Sequence, residues 1–180
     1  MAELRTKSAA GYVDFGFAQV EPNHLSAQRT GQIYAQLPLA TIEIPDGKGG
    51  NKTVAMQVEN GQFVKYDYAN EQVNLTGEGE WMLVYNEIKT YDARETAADF
   101  VFGGQEAEQA PRVFKTNVGD IMTTNAIKDA SVANKAILKV DTATGFLATE
   151  GADNSGMEWQ VAKVYDLADG QKAVKIVRIK

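Results

Sequence analysis

From residue 31 onward, apolar and polar positions fall into the short runs that pleated strands require, with successive side chains pointing to opposite faces. The stretch QIYAQLPLATIEI carries Ile33, Tyr34, Leu37, Leu39, Ile42 and Ile44, and TVAMQV follows the loop PDGKGGN. QFVKYDY alternates Phe63, Lys65 and Asp67 with Val64, Tyr66 and Tyr68, which predicts a half-exposed strand. QVNLTG predicts a short one. In EWMLVYNEIK the run from Trp81 to Tyr85 is apolar and β-favouring throughout, which predicts a strand buried on both faces.

The pattern then changes. TYDARETAADF offers Thr90 or Asp92 as an N-cap and predicts a short helix, with Gly103 and Gly104 ending it. GGQEAEQAP reads as a linker, closed by Pro111. Strand signals resume in RVFKTN, DIMTTN, AILKVDT, GFLATE, EWQVAKVYD and QKAVKIVRIK, separated by the turn formers NVGD, DTATG, GADNSG and LADGQK. Asp169-Gly170 between two such runs is a hairpin signal. Closely spaced short strands predict a small barrel or sandwich. Residues 1–30 have scattered aromatics and no period. They are expected to form an extended arm, with Tyr12, Phe15 and Phe17 as partner-binding residues, because such a segment has no core of its own. The predicted fold is mainly β: an N-terminal arm (1–30), a β-rich domain with one short helix (31–102), a linker (103–111) and a small β-barrel or sandwich (112–180).

Composition narrows the class. A chain of 180 residues can bury a sizeable core. A net charge of −6 with no basic run argues against nonspecific nucleic-acid binding and against anionic membrane surfaces. Without cysteine there are no disulfides, zinc–thiolate sites or thiol catalysis, and the composition suits a reducing compartment. The first residues, MAELRTKSAAGYVDFGF, contain no apolar stretch of signal-peptide length, so the chain is expected to be made in the cytoplasm and left unprocessed. The sequons at Asn51 and Asn74 then carry no weight.

Candidate chemistry is sparse. The one histidine, His24, lies in the irregular N-terminal segment and reads as a surface or packing residue. No serine occupies a G-x-S-x-G elbow. PDGKGGNKT departs from the phosphate-binding loop, since Asn51 stands where glycine must precede Lys-Thr, and its flanks read as two strands. Carboxylates are plentiful: Asp67, Glu71, Glu78, Glu80, Asp92, Glu95, Asp99, Asp120, Asp141 and Asp153. Glycoside hydrolysis uses a carboxylate pair, but its spacing is a property of the fold. GADNSG offers oxygens for calcium and reads more simply as a solvated turn, so no metal or cofactor is expected. Trp81 and Trp159 sit among aliphatic residues and are expected in the core rather than on a sugar-binding platform. In RVFKTNVGDIMTTNAIKD, residues 112–129, Val113, Val118, Ile121 and Ile127 are expected to point inward. Thr116, Asn117, Thr123, Thr124 and Asn125 are expected at turns or on the other face.

Three stretches, EPNHLSAQRTGQIYAQLP, WMLVYNEIKTYD and PRVFKTNVGDIMTTN, resemble the pattern of small virion structural proteins of tailed bacteriophages, of the capsid-decoration or head-auxiliary (cement) kind. The resemblance implies a non-enzymatic β-rich protein on the virion surface, bound to the major capsid protein of an assembled shell, often as an oligomer, with no cofactor and no catalytic residues. Two other classes stay open on the residues alone. One is a carbohydrate-binding module of a phage fibre or head appendage, which needs exposed aromatic rings. The other is an acidic β-barrel enzyme, which needs two carboxylates in one cleft.

Overall fold

The computed structural model describes residues 20–27, 37–85, 102–104, 110–129, 131–149, 156–166 and 171–180. The predicted helix around Thr90, and Tyr12, Phe15 and Phe17, lie outside them. The architecture is mainly β, with a curled half-barrel sheet. The strands run β1 (Val20–His24), β2 (Thr41–Pro45), β3 (Asn51–Val58), β4 (Phe63–Asp67), β5 (Gln72–Asn74), β6 (Met82–Val84) and β7 (Phe102–Gly104). They continue with β8 (Val113–Phe114), β9 (Ile121–Thr124), β10 (Ile137–Val140), β11 (Leu147–Ala148), β12 (Trp159–Asp166) and β13 (Lys172–Arg178).

Three sheets result. Six strands pair in the order β1-β9-β13-β12-β10-β11, four in the order β5-β4-β6-β8 and three in the order β2-β3-β7. The hairpin signal at Asp169-Gly170 is matched by antiparallel pairing of β12 with β13, from Trp159 opposite Arg178 to Asp166 opposite Lys172. One residue, Ala162, bulges out of that ladder between Val161 and Lys163. The bulge lets both Val161 and Val164 pack on the same core while Lys163 points the other way.

The interior consists of two apolar clusters, and β4 and β6 stand between them. Phe63, Trp81 and Leu83 join Met122, Leu138, Val140, Leu147, Trp159, Val161, Val174 and Ile176 in the first. Val64, Tyr66, Met82 and Val84 join Leu39, Ala55, Val58, Val73 and Val113 in the second. The alternation of side chains along each strand feeds one cluster and then the other. Trp81 to Val84 are therefore buried on both faces, as the sequence predicts. Removing a tryptophan's 150–250 Å² from water contributes at most about 4–6 kcal/mol at about 25 cal/mol per Å².

Four expectations change. QFVKYDY is not half-exposed: Phe63, Val64 and Tyr66 are buried, because both faces of β4 have a core to meet. The N-terminal arm does not extend to residue 30 as a separate element. Val20–His24 is the strand β1, paired with β9 at one edge of the six-stranded sheet, and Leu25 and Ala27 are buried behind it. Gly103 and Gly104 belong to strand β7, paired with β3 at a register shift, where glycine tolerates the irregular backbone. Finally, the division at 103–111 does not carry into the core. β8 pairs with β6, and the first cluster takes residues from both sides of the linker. Its sixth strand comes from β1 instead of β8.

The two sides are also stapled by hydrogen bonds to the Thr144 and Gly145 carbonyls. The Phe63 amide donates to the Gly145 carbonyl at 2.7 Å, and Gln62 Nε2 donates to the Thr144 carbonyl at 2.8 Å. Gly145 has φ +74°, and a Cβ there would lie 2.5 Å from the Phe63 carbonyl oxygen, so only glycine fits.

Candidate docking surfaces

The polar segment 112–129 proves to be structural in an unexpected way. Thr116, Asp120, Thr123, Thr124 and Asn125 are buried, whereas Val118 is 66% exposed and Ile121 half-buried. The inward and outward assignments are thus reversed at Val118, Ile121, Thr116, Thr124 and Asn125. The cause is register: Met122 faces the core opposite Ile176, so Ile121 must face out. The buried polar groups are matched to partners. Asp120 accepts from the Ser26 amide and hydroxyl and from the Asn117 amide, closing the turn Asn117–Asp120. Thr123 donates its hydroxyl to Asn23 at 2.7 Å, tying β1 to β9, and Asn125 Nδ2 donates to Gln171 at 3.1 Å. Arg178 donates to the Thr116 carbonyl and hydroxyl. Burial draws its guanidinium pKa below the ordinary value, against the opposing charges of Glu80 and Asp120.

The other notable carboxylates organise turns in the same manner. Asp46 accepts from the Lys48 and Gly50 amides at 2.7 and 2.9 Å, and these bonds hold its pKa below the usual value. Asp67 gathers the side-chain amides of Asn70, Gln72 and Asn74, and the Asn70 bond contributes most to lowering its pKa. At Asp141, burial pushes the pKa up. The Lys128 ammonium at 2.6 Å, the Thr144 hydroxyl and the Ala143 amide outweigh burial and hold it below the usual value. Among the described residues no three His, Cys, Asp or Glu side chains stand together as a metal site. Most of GADNSG lies outside those residues, as do Asp92, Glu95, Asp99 and Asp153.

PDGKGGN links β2 to β3 as a hairpin, with Pro45 opposite Asn51, and has no helix behind it to receive a phosphate. Trp81 and Trp159 are 1% and 0% exposed, and neither indole N–H has an acceptor among the described residues. Rings so enclosed cannot form a sugar platform. His24 is half-buried in β1, opposite Ile121.

Two surfaces remain that could meet a partner. The first is the hairpin from Thr41 to Thr53, exposed throughout except at Ile44 and Asp46, which are half-buried. Ile42, 45% exposed, and Ile44 share one face, and Glu43 and Pro45 the other. Its root is anchored where Ala40 and Val73 share a backbone hydrogen bond at 2.9 Å and Met56 donates to Ala40. The second is the outer face of the six-stranded sheet. There Ile121, Val177, Gln160 and Ile137 line up across β9, β13, β12 and β10, all half-buried. Ile179, 41% exposed, follows Val177 on that face. Neither surface is evident from composition. The signal available in the sequence was local: apolar residues beside a glycine-rich turn (Ile42, Ile44) or inside one (Val118).

No protein-family model, curated protein or solved structure matches the chain.

Proposed function

We propose that the chain is a non-enzymatic virion structural protein that binds the assembled capsid of a tailed bacteriophage and decorates or stabilises it. The phage and capsid terms rest on the resemblance of three sequence stretches. The structural observation that supports a docking role is the Thr41–Thr53 hairpin. It carries Ile42, 45% exposed, and the half-buried Ile44 on one face, beyond the buried Val54 at its root. Isolated two-stranded hairpins are marginal in water, so apolar residues kept on one are better placed in a contact than in solvent. The body suits such a role: its buried carboxylates hold turns, and its two clusters are locked together by β4 and β6. Docking is expected to bury at least roughly 1,000 Å² in total, the scale of a specific interface. The test is sedimentation of purified chain with shells that lack it. Saturable co-sedimentation at a copy number set by the shell lattice is the expected result. A chain that ignores shells and binds a glycan instead overturns the reading.

A further inference from the structure

A strand at the margin of a sheet leaves half of its backbone N–H and C=O groups without a ladder to join. Among the described residues the three sheets have six such margins, and five of them are blunted. β1 has Pro22 at its centre and a register shift against β9. β11 is two residues long, and its Leu147 carbonyl accepts from the Lys128 amide at 2.9 Å. On the outer side of β5, Val73 is hydrogen-bonded to Pro38 and Ala40. β8 has two residues, and β7 has three, two of them glycine, with a register shift against β3. β2 is the exception. Its five residues, TIEIP, pair with β3 in unbroken register and run about 17 Å with nothing on the other side.

The direction of the free groups follows from the hydrogen bonds at the two ends of the hairpin. Met56 donates its amide to the Ala40 carbonyl at 2.8 Å, and Asp46 donates to the Gly50 carbonyl at 2.9 Å. With Ile42 opposite Val54 and Ile44 opposite Lys52, these two isoleucines direct their N–H and C=O to β3. Thr41, Glu43 and Pro45 therefore turn theirs outward, and Pro45 has a carbonyl only. Ala40 gives its N–H to Val73 and its C=O to Met56, so β5 and β3 follow one another along the same side of this strand and leave the other side clear of both. Thr41, Glu43 and Pro45 are all exposed. Two donors and three acceptors thus face solvent in the pattern that an antiparallel strand completes.

The strand fits a copy of itself. Across a two-fold axis, outward-facing residues must meet outward-facing residues, which leaves few registers. Centring on Glu43 sets like charges directly opposite, which is destabilising. Centring on Ile44 sets Glu43 opposite Pro45, which lacks an N–H. Centring on Ile42 places Thr41 opposite Glu43 of the second copy, and Glu43 opposite its Thr41. That register makes four backbone hydrogen bonds and keeps the carboxylates apart. A charge and a proline commonly blunt an edge; here they select one register. We infer that β2 pairs antiparallel with β2 of a second copy of this chain, about an axis through Ile42. The two Ile42 side chains then form a non-hydrogen-bonded pair, the kind in which side chains stand closest, and this gives the isoleucine left 45% exposed in the single chain a neighbour. Pairing joins edges and leaves faces open, so Ile42 and Ile44 of both copies lie on one continuous face. A five-residue seam falls short of the roughly 1,000 Å² of a stable interface, so the contact forms at high local concentration rather than in dilute solution. It does not depend on shell docking and is tested without shells.

The chain has no native cysteine, so an introduced one reports the seam alone. Ile42→Cys sets the two substituted positions directly opposite, with Cα atoms about 4.5 Å apart, inside the range of a disulfide. Ile44→Cys lies on the same face of the same strand, but this register holds its two copies more than about 13 Å apart. Lys48→Cys, exposed at the hairpin tip, controls for random collision. Under mild oxidation at high protein concentration, Ile42→Cys is expected to give a dimer at twice the 19.6 kDa chain mass, at several times the yield of either control. Glu43→Pro in the Ile42→Cys chain removes an outward N–H and spares the β2–β3 ladder. It is expected to bring the yield down to the control level with circular dichroism unchanged. An Ile42→Cys yield no higher than that of Ile44→Cys or Lys48→Cys overturns the inference, whether or not the proline variant folds. So does a folded Glu43→Pro chain that cross-links as well as its parent. Failure of the wild-type chain to pellet with shells, with the Ile42→Cys dimer still formed, would reject the capsid reading and leave this one standing.

Discussion

Two hairpins in this molecule have the same local construction and opposite fates. β12 and β13 form one, β2 and β3 the other, and both are antiparallel ladders joined by a short segment that contains glycine. In the first, Trp159, Val161, Val174 and Ile176 are buried against a core that other sheets complete. In the second, the outer part from Thr41 to Thr53 is exposed except at Ile44 and Asp46, and Ile42 stays 45% exposed opposite Val54. Alternation along a strand specifies which side chains share a face. Whether that face is buried depends on the layer beyond it, and the strand's own sequence does not encode that layer. The first hairpin is therefore part of the core along its length, whereas the second is buried only at its root, at Val54, Ala55 and Val58.

The largest expected effect tests the first half of that contrast. Trp159→Ala should lower unfolding free energy by about 3–5 kcal/mol, read from equilibrium urea denaturation. A loss below about 1 kcal/mol would show that this hairpin does not carry the core. Gly145→Ala comes next. Its left-handed backbone and the 2.5 Å approach to the Phe63 carbonyl should cost about 2–3 kcal/mol. The amide of Phe63 should then exchange faster, because its acceptor is the Gly145 carbonyl.

Most strands were legible in the sequence because β-favouring runs and turn formers alternate cleanly, as in EWQVAKVYD and QKAVKIVRIK. Their partners were not. β1 carries Pro22, Asn23 and His24, poor strand formers, and is held by pairing to β9 and by the Thr123–Asn23 bond, a contact across 100 residues. The separation at 103–111 was inferred from composition, yet Val113 and Phe114 pair with β6. Thr116 and Thr124 looked like surface polar residues and are buried, since a hydroxyl with a partner tolerates burial. The candidate site was less legible still. Sequence pointed to Tyr12, Phe15 and Phe17, outside the described residues, and missed Ile42 and the Ile121–Ile137 row, because exposure of an apolar residue is a property of the whole fold.

A smaller effect separates turn chemistry from core packing. Asp141→Ala removes the acceptor for Thr144, Ala143 and Lys128 and should cost about 1–3 kcal/mol, through groups left without a partner. The wild-type carboxylate has a lowered pKa in the fold, so its contribution is present above its unfolded value and lost as pH falls through the lower folded one. Wild-type stability should therefore decline on acidification below about pH 4. The Asp141→Ala chain should decline less over that range, and equal slopes for the two in urea titrations at several pH values would contradict the assignment.

The smallest effect on stability should be the largest on contact. Ile42→Ser with Ile44→Ser alters a hairpin face that is exposed at one position and half-buried at the other. Substitutions at such places usually stay within about 0.5 kcal/mol each, so urea midpoints should barely move. If the hairpin is spent on docking, the same pair should weaken co-sedimentation with shells, because apolar groups desolvated at the centre of an interface carry most of its energy. Glu43→Ala, on the opposite face, serves as the matched control and should leave pelleting unchanged. Equal pelleting by wild type and the Ile42/Ile44 pair would remove the hairpin from the interface. A large drop in urea midpoint would instead show that the face is buried within the chain, and the contrast between the two hairpins would collapse. Only unchanged folding together with weakened pelleting keeps both halves of the comparison, since it requires apolar residues that the fold does not need and the partner does.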